Sequence, residues 1–245
     1  MRDAVRQLSL AAVAYAGYEA VRGLVAVDGA RPFADATRII ELERTLHVFA
    51  EPRLQAWVTH HARWLLELAD WTYLNAHFLL TAAALVFIYL RRNDSFCFVR
   101  NMFMVAMLVA LAGYAVFPTA PPRLMPQWGF SDSVRQFTGV GSAQGLARLL
   151  LNPYAAVPSM HVCFALMIGL PMSRLVHGRT ASVLWRVYPL LIVFVVVVTG
   201  NHYFTDVVLG ALTAAVAAAL AKQLFARARP DVWAFAGARY GSARA

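Results

Sequence analysis

The sequence predicts an all-α polytopic membrane helix bundle of about six transmembrane helices, with an interfacial amphipathic helix and a long outer loop. Three observations carry that expectation. Of the 245 residues, 60% are hydrophobic and only 14% charged, with a mean hydropathy of +0.56. Soluble domains run nearer a quarter charged, which excludes a water-soluble enzyme domain. The apolar residues gather in runs close to the roughly 20 residues that cross a bilayer. The arginines fall between these runs and not in one stripe, so the net charge of +9 reads as headgroup contact and topology control, not nucleic-acid binding.

Leu8 to Val27 is the first expected span. Glu19 and Arg22 interrupt it, three apart on one helical face, where they partly neutralise each other; an unpaired mid-membrane charge would cost roughly 2.5–3.5 kcal/mol. With no small-residue cleavage site after it, the segment reads as a retained helix and not a signal peptide. Residues 28–63 mix Asp35, Glu41, Glu43, Arg44, Glu51 and Arg53 at helix-like spacing, the pattern of an amphipathic helix at the interface. Trp71 to Leu90 is apolar apart from Asn75 and His77 and closes on Arg91-Arg92. Met102 to Phe117 follows. Met160 to Val176 contains Pro171, which neighbouring helices tolerate in a membrane. Val187 to Thr199 includes a β-branched-rich run, Phe194 to Val198, that reads as helix in a chain this apolar. Tyr203 to Ala221 ends at Lys222. Cys97 and Cys163 fall at opposite ends of their helices, so no disulfide is expected. Three segments result: 1–63, an N-terminal membrane helix plus interfacial helix; 64–225, a catalytic membrane core; and 226–245, a disordered basic tail.

With six helices, Arg2 and Arg6, then Arg91, Arg92 and Arg100, then Arg174, Arg179 and Arg186, then Lys222, Arg227 and Arg229 all fall on one side. The positive-inside rule makes that side cytoplasmic, with both termini. Residues 28–63, 118–159 and 200–202 then face outward.

The polar chemistry gathers on that outer side. Six of the 11 prolines lie between Pro118 and Pro158, marking an irregular segment far longer than an ordinary connection. It closes on Pro158-Ser159-Met160-His161, where proline suits a first helical turn and free N–H groups, with the Ser159 hydroxyl, make an anion site. The next feature is Thr199-Gly200-Asn201-His202-Tyr203-Phe204-Thr205-Asp206. His202 and Asp206 are four apart and share a helical face; a carboxylate on one imidazole nitrogen leaves the other as nucleophile or base. Arg123, held by Pro121-Pro122, offers a planar guanidinium suited to phosphate. Together these residues predict in-line phosphoryl transfer: Arg123 and the amides hold the phosphate, His202 attacks, His161 protonates the leaving oxygen, and Asp206 stabilises the imidazolium.

At these residues the sequence resembles the type 2 phosphatidic acid phosphatase superfamily, more closely its inositol phosphorylceramide synthase-like branch, over roughly residues 64–222. The family pattern is Lys, six residues, Arg-Pro; then Pro-Ser-Gly-His; then Ser-Arg, five residues, His, three residues, Asp. Arg123 matches the first Arg, Pro158, Ser159 and His161 the second motif, and His202 and Asp206 the third. Val116 stands at the Lys position, Leu124 at the Pro, Met160 at the Gly, and Val195-Val196 at the Ser-Arg. The resemblance implies His202 as the nucleophile of a phosphohistidine, His161 as general acid and Asp206 as the residue orienting His202. Phosphate would be bound at Arg123, Ser159 and Met160, with no metal or cofactor required. It also implies a lipid-linked phosphate substrate, membrane lipids around it, and transfer to an alcohol or inositol in preference to water. His77, Asn75, Asn201, Arg135 and Arg148 are further candidates for the pocket. Two other readings stay open at this point. His161, His202 and Asp206 also form a plausible ligand set for Zn or Fe in a metal-dependent hydrolase, and Asp206 with His77 could relay protons in a coupled transporter.

Overall fold

The computed structural model describes residues 2–24, 29–139 and 154–225; Arg148 and the expected tail 226–245 lie outside them. Among the described residues the chain is all-α, with one isolated bridge between Thr119 and Ala155. The helices are α1 (Arg2–Leu24), α2 (Arg31–Thr45), α3 (Glu51–His61), α4 (Arg63–Arg91), α5 (Asn93–Val116), a short α6 (Ser133–Thr138), α7 (Met160–Leu175), α8 (Arg179–Val198) and α9 (Phe204–Leu220). Helix α4 passes through a π-helical stretch at Thr72–Ala76.

Among the described residues, four helices are long and apolar enough to cross a membrane: Arg63–Arg91, Asn93–Val116, Arg179–Val198 and Phe204–Gln223. Helix α7, at 16 residues, is a shorter apolar helix in the same bundle. The β-branched run Phe194 to Val198 is helical, inside α8. Several helices extend past the apolar runs that mark their centres, which puts Arg100 and Arg186 inside α5 and α8 instead of in the connections.

Helices α5, α7, α8 and α9 form the main core, where Ala106, Ala110, Cys163, Ile168, Ile192, Val196 and Ala217 are buried. The small residues among these, Ala106, Ala110, Cys163 and Ala217, let the helix backbones approach, as packing without a strong hydrophobic drive requires. Gly210 in α9 is such a contact: a Cβ there would overlap the Ser159 carbonyl. Cys97 and Cys163 are buried and form no disulfide. Helix α1 docks along α5 through Arg100 Nη1 to Gln7 Oε1 at 2.7 Å and Tyr18 Oη to Tyr114 Oη at 3.3 Å.

At one end of the bundle Arg92 donates to the Leu175 carbonyl (3.0 Å) and to His177 Nε2 (2.6 Å), tying the α4–α5 junction to the end of α7. Arg91, Arg174, Arg179 and Lys222 are exposed at this end. The opposite end is capped by α2, α3 and residues 118–139. A small apolar cluster of Ile39, Ile40, Met125, Phe130, Val157 and Tyr203 seats the cap on the bundle. Residues 28–63 thus differ from the expected single interfacial helix. Residues 31–61 form two helices, and Asp35, Glu43 and Glu51 are turned inward and buried; Asp35 pairs with Arg31 and Arg38 of its own helix, whereas Glu43 and Glu51 bond the start of α9, which periodicity along one helix does not reveal.

Candidate active site

Ser159 and His161 sit at the start of α7, and His202 and Asp206 at the start of α9, on the capped end; Arg123 lies in a short turn, Pro122–Leu124. Ser159 is the N-cap of α7, its Oγ accepting from Val162 N at 3.5 Å, and its own N–H donates to the Asp206 carbonyl at 3.1 Å. That bond, with the close contact at Gly210, registers the start of α7 against the start of α9. Two helix starts far apart in sequence thereby bring His161 and His202 together, with ring centroids 6.0 Å apart and the rings tilted by 56°.

His202 turns Nδ1 to Asp206 Oδ2 at 3.3 Å, and the same carboxylate oxygen accepts from Tyr203 N at 3.0 Å. Asp206 is fully buried. With Nδ1 taken, Nε2 is the nitrogen of His202 left for chemistry. Arg123 is placed by backbone as well as side chain. Its N–H donates to the Gly200 carbonyl at 2.7 Å, and its Nε to Asn201 Oδ1 at 3.0 Å; Asn201 in turn donates to Thr199 Oγ1 at 2.8 Å. Gly200 has φ +67°, and a Cβ there would stand 2.9 Å from Gln55 Nε2 and 3.5 Å from Arg123 Cβ. The turn before His202 therefore needs glycine. Asp132 is the counter-ion of Arg123, at 3.5 Å.

A cavity of about 120 Å³ opens beside these groups. Its walls include Arg123, Met160, His161, Asn201, His202 and His77, and also Arg22 with Glu19 from α1. His161 stacks on Tyr73 at 4.3 Å and lies 5.1 Å from His77, whose Nδ1 meets Tyr188 Oη at 2.8 Å. The Nε2 atoms of both His161 and His77 are buried without a hydrogen-bond partner. Tyr73 was not foreseen, although its spacing of four from His77 puts the two on one helical face.

Other predicted residues lie elsewhere. Ser159 caps α7 and is fully buried, outside the cavity lining. Asn75 does not reach the pocket. It is exposed, its amide bonded to the Trp71 carbonyl at 3.3 Å, because residues two apart on a helix do not share a face with His77. Arg135 is also exposed, at the first turn of α6, where Asp132 Oδ1 caps its N–H at 3.0 Å. Among the described residues no three His, Cys, Asp or Glu side chains come together as a metal-binding group, so the metal-ligand alternative gains nothing from the geometry.

The start of α9 is held from the cap. Glu51 Oε1 accepts from Phe204 N at 3.0 Å, and Glu43 Oε1 from Thr205 N at 2.7 Å and Thr205 Oγ1 at 2.8 Å. Acids at a helix N-terminus satisfy its free N–H groups and suit its dipole. Burial, then the hydrogen bond and charge of Glu51, push the Glu43 carboxyl up to about 8, against a smaller opposing effect of the Thr205 bonds. The Oε2 atoms of both acids are buried without a hydrogen-bond partner.

The family model of the PAP2 superfamily matches residues 37–220 of this sequence, from within α2 to the end of α9. Searches of curated proteins and of solved structures found no match.

Proposed function

Since the chain belongs to the PAP2 superfamily, a superfamily of membrane phosphatases and phosphotransferases, we propose that it is a lipid-phosphate phosphotransferase or phosphatase working through a phosphohistidine on His202. The observation that carries this reading is the His202–Asp206 contact at 3.3 Å facing His161 across 6.0 Å, beside Arg123 in one cavity. The Nε2 lone pair of His202 attacks phosphorus in line. As the P–N bond forms, the bond to the leaving oxygen breaks, and that oxygen takes its electron pair and a proton from His161. Asp206 stabilises the imidazolium, and Arg123 holds the phosphoryl oxygens. In the second half, water or an alcohol gives its proton to His161 and attacks phosphorus, and the P–N electron pair returns to Nε2. Asn201 fixes Arg123, and His77 backs His161.

The apolar residues at Val116, Val195 and Val196 favour the inositol phosphorylceramide synthase-like branch, and so transfer to an alcohol or inositol. The exposed cations at the far end favour a cytoplasmic placement of that end and of both termini, with the site outward in the cytoplasmic membrane. The 64–225 segment as catalytic core belongs to the same reading.

The test is turnover of phospholipids and prenyl phosphates or diphosphates by the purified protein, with and without polyol acceptors. Acceptor-dependent products are expected, and His202→Ala is expected to lose about 10⁴-fold or more in turnover. Undiminished turnover by that variant would overturn the assignment.

A further inference from the structure

A second guanidinium lies in the wall of the cavity, and it comes from a helix outside the family match. Tyr15, Tyr18, Glu19 and Arg22 all line the cavity; their spacing puts them on one face of α1. That face is fixed toward the site at two levels. Near one end Arg100 holds Gln7; near the other, Tyr18 donates to Tyr114 Oη, and Tyr114 donates to the Pro158 carbonyl at 3.4 Å, one residue before the Ser159 cap. Arg22 Nη1 donates to both carboxylate oxygens of Glu19, at 3.1 and 3.3 Å, and the two side chains are only about a quarter exposed. The expected neutralisation along α1 therefore exists, but the pair is turned into the catalytic cavity instead of being hidden in the bundle.

The cavity thus holds two guanidiniums on separate elements, each with one carboxylate as its counter-ion: Arg123 with Asp132 and Arg22 with Glu19. A charged pair this poorly hydrated is costly unless a further ligand repays it. The volume of about 120 Å³ far exceeds the roughly 10–15 Å³ of probe-occupied space that one water needs, and leaves room for a phosphoryl group. We propose that Arg22 is a phosphate-binding residue: it and Arg123 grip the same phosphoryl group from two walls, and α1 completes the anion site. Arg22 thereby supplies the charge missing at Val116 and Val196. This rests on the reading that the cavity receives a phosphate ester.

The experiment titrates inorganic phosphate and a short-chain phosphatidic acid in parallel against the full-length protein, reading binding through thermal stabilisation. In Arg22→Gln both affinities are expected to fall about tenfold or more, the equivalent of one charge-assisted hydrogen bond, and Arg22→Lys recovers part of the loss as a point charge without the fork. Glu19→Gln, which removes the resting counter-ion, is expected to bind inorganic phosphate more tightly than the parent, a gain that damage to the fold does not produce. The proposal is overturned if folded Arg22→Gln binds phosphate like the parent, if only the lipid loses affinity, or, where Arg22→Gln does not fold, if Glu19→Gln shows no gain. Failure of the underlying reading looks different: His202→Ala then turns over normally, whatever Arg22 does.

Discussion

Helices α7 and α9 both begin at the cavity, yet their first turns are treated oppositely. The start of α9 is sealed: Glu51 and Glu43 take the N–H groups of Phe204 and Thr205, and Asp206 folds back on Tyr203 N. The start of α7 is open, with Ser159 capping only Val162 N at 3.5 Å and, among the described residues, no acid in its first turn. The difference matches the two imidazoles. His202, on the sealed turn, has one nitrogen committed to a carboxylate, as the proposed nucleophile needs. His161, on the open turn, keeps Nε2 unpartnered against a ring stack of Tyr73 and His77, which leaves it able to give and take a proton. A helix start packed with carboxylates repels phosphate, while an open one attracts it, so under the proposed function a phosphate would meet the pair from the α7 side.

Asp206→Asn attacks the sealed turn where it meets the chemistry. An amide of the same shape preserves the packing but no longer stabilises the imidazolium or fixes its tautomer, so turnover should fall about 10²–10⁴-fold with the thermal midpoint little changed. Steady-state rates and a melting curve on the same sample check both halves.

Glu43→Gln sharpens the comparison through pH. The Glu43 carboxyl sits above its ordinary 4.5, at about 8, so the folded state prefers it protonated. The stability it contributes is complete below about 4.5 and is lost as pH rises through about 8. Glutamine keeps an oxygen for Thr205 and donates to Glu51 permanently. The variant should therefore match the parent in acid and exceed it above about pH 8, by about 2–4 °C per kcal/mol recovered. Melting curves across that range decide it; a parallel pH trend in both proteins would contradict the raised Glu43 carboxyl.

The smallest effect is expected at the far end. Arg174 is exposed and away from both helix starts, so Arg174→Gln should change stability by less than about 0.5 kcal/mol and leave kcat/KM unaltered. A measurable loss of kcat/KM would mean that charge at that end reaches the site.

The bundle was legible because crossing a membrane leaves its mark in a local run of apolar residues, as at Trp71 to Leu90 or Tyr203 to Ala221. The ends of helices were less so, since α4 begins at Arg63, where the sequence is already polar. Within the site, His202 and Asp206 were readable from a spacing of four, and Ser159 and His161 from a proline-led helix start. Glu43 and Glu51 were not, because their partners lie 162 and 153 residues away and acids in a mixed-charge stretch look solvated. Arg22 was visible only as half of a local pair, since nothing along α1 says which way that face turns. Asn75 was overcalled by its nearness to His77 in sequence, a nearness that a helix undoes.

The most direct test of the phosphohistidine is to trap it. The parent protein, mixed briefly with a substrate labelled in its phosphoryl group and quenched in alkali, should carry label that survives base, is released by acid, and maps to the peptide holding His202; His202→Ala should carry none. Label absent from the parent under turnover, or retained in the His202→Ala protein, would contradict the account.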